Sequence, residues 1–291
     1  MKIIDKIIGD NHKNIKYLQQ TKDNIITETG FVEEDSRNII CFASQLGCVV
    51  GCKFCYNGIH KNYYRNLTIE EIVKQCTNVV QDLNLNEKEK PILFSCMGIG
   101  EPLLNYDNVI EAILQLNIIY QNNKFALATT GIKPEYIAKI TTDLKEIKDF
   151  KLTISLHAPN EKIREKIIPI SISLSDIKKY LKDFKNSEHT FEWNYMLLDG
   201  INDSKSDALE LVKFVDNDDN IKITSYNEID GVDLKKSKNQ NIFLNILDDN
   251  KINYKIFISS GTDIEIGCGQ MVTHYNQFPT PQLVKKPKSQ Q

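Results

Sequence analysis

The sequence predicts an α/β chain with a parallel sheet and crossover helices, and three observations predict it. Short β-branched and aromatic runs alternate with segments whose apolar residues recur at helical spacing. The runs are apolar throughout, as strands covered on both faces are. No repeat and no low-complexity linker interrupts the alternation. This pattern fits a doubly wound sheet or a full or partial barrel, and six or so units favour a barrel.

The strand runs fall at residues 39–42, 92–95, 125–129, 150–156, 191–196, 221–226 and 254–258. Between the first two, residues 67–80 open with Thr68 and Glu70 and carry Ile69, Ile72, Val73 and Cys76 on one helical face. Residues 109–119, 134–140, 174–184, 204–215 and 242–247 read as helices in the same way. Residues 216–220, acidic and polar, are expected to be a solvated turn. Residues 1–25 are expected to be a short lead and 276–291 a flexible basic tail, with a core from 26 to 275 between them.

The 291 residues carry a net charge of -3, with 41% hydrophobic and 26% charged residues, a balance that excludes a disordered or fibrous chain. No run approaches the roughly 18 apolar residues of a membrane span, and Asp5, Asp10 and Lys13 break any signal-peptide block, so a cytoplasmic protein is expected. Any binding of nucleic acid has to use a local basic surface, because the summed field does not attract phosphate. Of the seven cysteines, Cys41, Cys48, Cys52 and Cys55 lie within fifteen residues, and an odd, clustered set points to metal or redox chemistry rather than a disulfide framework.

The strongest motif is Cys48-Val-Val-Gly-Cys52-Lys-Phe-Cys55, directly after the first strand. Three thiolates on one loop suit three irons of a cubane cluster and leave the fourth iron open. The competing reading is a zinc site completed by Cys41 or His60, but zinc sites favour paired Cys-x-x-Cys units and no second pair exists. Gly98-Ile-Gly100 is not a dinucleotide fingerprint, since Leu103 occupies the third glycine position. Cys76 and Cys96, set in apolar periodic segments, read as core thiols.

The three-cysteine loop at the end of a first barrel strand resembles the radical S-adenosylmethionine superfamily, and further segments resemble the RlmN and Cfr family within it. These are Cys41-Phe-Ala-Ser-Gln-Leu-Gly-Cys48, Arg65-Asn-Leu-Thr68, Met97-Gly-Ile-Gly-Glu101-Pro-Leu-Leu-Asn105, Thr130-Gly131, Ser155-Leu-His157-Ala-Pro-Asn160, Met196-Leu-Leu-Asp-Gly-Ile-Asn-Asp203 and Asp263-Ile-Glu-Ile-Gly-Cys268-Gly-Gln270. The resemblance, over about residues 26 to 272, implies a partial (β/α)6 TIM-like barrel with a short N-terminal β extension around residues 24–32. It implies a [4Fe-4S] cluster on Cys48, Cys52 and Cys55, and S-adenosylmethionine held by Gly100, Glu101, Ser155, Leu156, His157 and Asn227. Ala128 stands where the family usually has a serine, with Thr129 or Thr130 expected to compensate.

The family methylates a ring carbon of adenosine, C2 or C8, in ribosomal or transfer RNA. Such an amidine-type carbon is electrophilic and does not attack a methyl sulfonium, so a radical route is needed, with the cofactor supplying the hard chemistry. By the same resemblance Cys268 is the methyl carrier, Glu28 the proton acceptor and Cys41 the thiol that releases product through a transient disulfide with Cys268, the kind of disulfide a cytosol tolerates. An RNA substrate, a flavodoxin- or ferredoxin-type electron donor and a monomer without membrane contact are the expected partnership. The family's N-terminal helical accessory domain is expected to have no counterpart before Glu28, and Lys61, Tyr63, Tyr64 and Arg65, like Lys285, Lys286 and Lys288, read either as RNA contacts or as solvated surface. The alternatives are the same cysteine chemistry on a small molecule or peptide, and a non-catalytic iron-sulfur protein that binds RNA.

Overall fold

The computed structural model describes residues 1–10, 12–60, 63–170 and 172–257. Its N-terminal third opens with β1 (Lys2–Ile8), β2 (Asn14–Gln20), β3 (Ile26–Glu33) and β4 (Asn38–Cys41), each antiparallel to the one before. A two-stranded ribbon follows, β5 (Gln45–Gly47) with β6 (Tyr63–Asn66), and it brackets the cysteine loop and α1 (Tyr56–His60).

The alternating part then runs α2 (Ile69–Asp82), β7 (Ile92–Cys96), α3 (Tyr106–Ile119), β8 (Asn123–Thr129), α4 (Glu135–Asp143), β9 (Phe150–Ser155), α5 (Glu161–Ile167) and α6 (Leu174–Lys185). It ends with β10 (Thr190–Leu197), α7 (Lys205–Phe214), β11 (Ile221–Ser225), α8 (Gln240–Asp249) and β12 (Tyr254–Phe257). Among the described residues the main sheet has the order β1-β2-β3-β4-β7-β8-β9-β10-β11-β12, with β1 and β12 at its edges. Its strands β4 and β7 to β12 are all parallel, so six crossovers join seven strands and give the expected partial (β/α)6 barrel.

Two expectations are corrected. Residues 1–25 are not a lead, because they supply β1 and β2 and widen the β extension to a three-stranded meander. Alternation of Lys2, Asp5 and Lys6 with apolar residues hides β1, while β2 is covered on both faces despite Asn14, Lys16 and Gln19. Polar groups of β2 find partners on β3 and α2: the Gln19 amide donates to Thr29 Oγ1 at 2.9 Å and to the Gln75 carbonyl at 3.0 Å, and Tyr17 Oη donates to Asp82 at 2.9 Å. The turn at 216–220 is not simply solvated either, since Asp219 is buried, accepts from Trp193 Nε1 at 2.9 Å and pairs with Lys185.

Local sequence explains the element ends nearest the site. Thr68 caps α2 in a reciprocal box with Glu71. Asn160 caps α5, accepting from Ile163 N at 3.2 Å. The main core lies between sheet and helices and includes Cys76 and Cys96. A separate small cluster, Val50, Cys52, Ile167, Ile168, Leu198, Tyr226 and Ile229, lies at the C-terminal ends of the strands and backs the cysteine loop.

Candidate active site

The loop 48–55 is held from several sides. Lys53 N donates to the Ile167 carbonyl at 2.9 Å, and Gly58, at the start of α1, packs so closely that an added Cβ would stand 2.4 Å from the Cys52 carbonyl oxygen. Backbone N–H groups are aimed at the sulfurs, from Val50 to Cys48 and from Gly58 and Asn57 to Cys55. Burial nevertheless pushes the Cys48 thiol up to about 12 and raises Cys52 and Cys55, with the charge of Cys55 adding to the rise at Cys48 and Cys52 and that of Glu28 to the rise at Cys55. Three thiols that resist ionising one by one, Cys52 buried and Cys48 and Cys55 part-buried with N–H donors in place, suit a positive group that deprotonates them on binding. Among the described residues the sulfurs are not gathered within 4.8 Å of one another. Ligands of one tetrahedral zinc would be, at about 3.8 Å apart for bonds of about 2.3 Å. As they stand the three sulfurs are therefore not gathered for a single zinc ion, and exposed His60 stacks on Tyr56.

The loop 97–101 lies against the segment that follows β4. An added Cβ on Gly98 would meet the Phe42 carbonyl at 2.7 Å, and Gly100, at a φ of +110°, leaves no room beside Ser44 and Gln45. This approach delivers Glu101, whose N–H donates to Gln45 Oε1 at 2.9 Å. The Glu101 carboxylate is buried and accepts from Thr129 Oγ1, from Leu103 N at 3.1 Å, and from Thr130 N and Oγ1 at 2.8 and 2.9 Å. Burial raises its carboxyl above the ordinary range in spite of those bonds. No Lys, Arg or His of the described residues lies within ion-pair distance of this carboxylate. Both threonine hydroxyls expected to compensate for Ala128 thus donate to Glu101.

Ser155 ends β9, and the chain then turns so that Leu156 N and His157 N both donate to the Asn194 carbonyl, at 2.9 and 3.2 Å. His157 adopts a φ of +55°, an uncommon conformation for a side chain this large. Its Nδ1 accepts from Met196 N at 3.0 Å, and burial, with the charges of Arg164 and Lys222, lowers the imidazole to about 3. The proton is therefore on Nε2, which is buried without a partner among the described residues. The Phe54 ring, from the cysteine loop, meets His157 edge-on at 4.6 Å. Asn227 lies half-buried just past β11.

Cys41 ends β4 opposite Gly30, two residues from Glu28 on the same face of β3. Glu28 is buried, lies 3.8 Å from the buried Lys16 of β2, and its charge reaches Cys55. The structure thus brings Cys48, Cys52, Cys55, Gly100, Glu101, Ser155, Leu156 and His157 together at strand ends, with Cys41 and Glu28 beside them. Cys268 lies outside the described residues, as do Lys61 and the lysines of the tail. Arg65 is not a free basic group: its guanidinium is shared between Asp23 and Glu71 at 2.7 to 2.9 Å, leaving half-exposed Tyr63 and Tyr64.

Sequence reasoning missed Lys16, hidden in the supposed lead, and a charged group inside the barrel. There Glu192 is surrounded by Lys151, Lys222 and Lys255 at 3.1, 3.6 and 2.6 Å. Burial alone would raise its carboxyl, but the three lysines outweigh it and hold Glu192 at about 2.

Comparison with known proteins decides the family. The profile described as "Radical SAM superfamily" matches residues 43–214. A protein of Dictyoglomus thermophilum named "Probable dual-specificity RNA methyltransferase RlmN" is 34% identical over 281 residues, covering 93% of this chain and 78% of its own length. The chain belongs to the radical SAM superfamily and, within it, to the RlmN family. An RlmN of Prochlorococcus marinus is 35% identical over 91% of this chain and 77% of its own. Among solved structures, a radical SAM methyltransferase from Sphaerobacter thermophilus superposes with a TM-score of 0.81 at 26% identity, covering 92% of this chain and 80% of that one. A queuine lyase from Clostridium spiroforme, at 15% identity and a TM-score of 0.50, shares the fold alone. This RlmN-family chain is thus an enzyme, a radical SAM methyltransferase, and among the described residues no helix is long and apolar enough to cross a membrane.

Proposed function

We propose that this enzyme methylates an adenosine ring carbon, C2 or C8, in ribosomal or transfer RNA through a methylated cysteine. The observation that carries the reading is the meeting of the Cys48, Cys52 and Cys55 thiols with a buried, cation-lacking Glu101 and the unpartnered Nε2–H of His157. The RNA methyltransferase names of its relatives support RNA as substrate. When bound, the [4Fe-4S] cluster supplies the electron that starts radical chemistry on S-adenosylmethionine, drawn in turn from a flavodoxin- or ferredoxin-type carrier.

The chain's own residues do the rest. Cys48, Cys52 and Cys55 hold the cluster, and Glu101 receives the cofactor's ammonium while Gly100 keeps the backbone close. Ser155, Leu156, His157 and Asn227 line the cofactor's remaining polar groups, with Nε2 of His157 as a fixed donor. Cys268 carries the methyl group, Glu28 takes the ring proton at its carboxylate beside Lys16, and Cys41 frees the product from Cys268. Burial of the surroundings keeps water from the reacting groups.

The test incubates the reconstituted enzyme, a reductant and labelled S-adenosylmethionine with total RNA, short stem-loops or free adenosine nucleotides. Methyladenosine in the RNA arms is expected. Label on Cys268 with none in any RNA would overturn the RNA reading and favour a small molecule or peptide.

A further inference from the structure

Arg164, on α5, is among the largest fully buried side chains of the described residues, at 1% exposure. Arg37 and Arg65 pair with carboxylates, but no carboxylate of the described residues comes within ion-pair distance of Arg164. Its donors go to backbone carbonyls instead: Nη2 to Thr130 at 2.6 Å and Ser155 at 3.1 Å, Nε to Leu156 at 3.2 Å and Nη1 to Ile172 at 3.3 Å. Burial lowers the guanidinium to about 10, which leaves it charged at neutral pH. A buried cation without a counter-charge is costly, and neutral carbonyls offset only part of that cost.

What faces this charge explains its presence. Its helix carries the cysteine loop, for Lys53 N donates to the Ile167 carbonyl at 2.9 Å and Cys52 packs with Ile167, and the charges that favour the guanidinium are those of Cys52 first, then Glu161 and Glu101. Thr130, whose carbonyl it holds, donates its own N–H to Glu101, and Ser155 and Leu156 lead into His157. One side chain therefore reaches the cysteine loop through its field and both arms of the cofactor cradle through hydrogen bonds.

We propose that Arg164 is a positioning residue of this enzyme: a fixed cation that offsets the negative charge gathered when the three thiols ligate a cluster, and a brace that sets the spacing of Thr130 and the 155–157 turn. This rests on the cluster reading of Cys48, Cys52 and Cys55. Adding an electron makes the thiolate-bound site one charge more negative, so a nearby cation favours the reduced state.

The test compares anaerobically reconstituted wild type, Arg164→Gln and Arg164→Lys by iron content, by redox titration followed with electron paramagnetic resonance, and by calorimetric binding of S-adenosylmethionine. Arg164→Gln is expected to lose about tenfold in the reduction equilibrium, a midpoint ~59 mV more negative for one electron. Arg164→Lys is expected to keep the wild-type midpoint while binding S-adenosylmethionine about tenfold more weakly, because an ammonium lacks the planar fork that spans these carbonyls. An unchanged midpoint in Arg164→Gln, or an equal fall in Arg164→Lys, overturns the proposal. If Arg164→Gln does not fold, the lysine variant decides alone, a wild-type midpoint supporting the charge and a tenfold loss refuting it. Wild-type protein that takes up no iron ends the cluster reading as well, and iron analysis separates that failure from an unmoved midpoint.

Discussion

His157 combines burial, a left-handed backbone and a neutral ring, and the three are linked through Asn194 and Met196. The Asn194 carbonyl pins the backbone turn, while Met196 N–H takes Nδ1 and so fixes the tautomer. A neutral, buried imidazole also makes stability depend on pH. The folded ring, at about 3, binds no proton between pH 3 and 6.5, whereas the unfolded one does, so the unfolded state gains on acidification through that window. The cause is first the loss of hydration, then the charges of Arg164 and Lys222. Relative to His157→Gln, wild type should lose about 1.5 kcal/mol between pH 6.5 and 5, since a single proton contributes at most about 1.4 kcal/mol per pH unit. Urea unfolding at a series of pH values measures this, and parallel curves for the two proteins would refute it.

At the scale of elements, the cysteine loop depends on a short helix that the sequence pattern does not announce. Only glycine fits at position 58, because a Cβ would strike backbone atoms of Cys52 rather than a yielding side chain. Gly58→Ala should leave the far-ultraviolet circular dichroism unchanged yet cut iron incorporation by more than half, with overpacking costing about 1 to 3 kcal/mol locally. Full iron loading in that variant would contradict the close packing. The seven parallel strands and six long helices were legible within a few residues, because β-branched runs such as residues 221–226 and helical faces such as that of α2 obey their periods. The elements that were not legible are short or polar: β5, β6, α1 and α5 are too brief to show a period, and β2 buries Lys16 and Gln19 through partners remote in sequence. The candidate site was legible as motifs. Its supports, Lys16 and Arg164, were not, because a buried cation is revealed only by the fold that surrounds it.

Taken whole, the sheet is a parallel barrel segment extended by an antiparallel meander, and the meander is tied to the barrel by α2 through Lys6 and Tyr17 on Asp82 and Asn78 on Gln19. Removing residues 1–20 should therefore expose β3 as a long unpaired edge and take Lys16 from Glu28. The shortened chain is expected to self-associate in size-exclusion chromatography and to unfold at least about 5 °C lower, a shift of the order that 2 kcal/mol produces in a chain of this size. A monomer with unchanged melting would show that the meander is dispensable.

The separateness of the small apolar cluster behind the cysteine loop has a consequence for the life of the protein in air. Val50 and Cys52 rest on Ile167, Leu198 and Tyr226 rather than on the main core. Regions of low local stability open without the rest. With a cluster held as proposed, oxidative loss of iron is expected to loosen amide protection around residues 48–60 and 163–168 while the sheet keeps its slow exchange, leaving a folded scaffold to be recharged with iron.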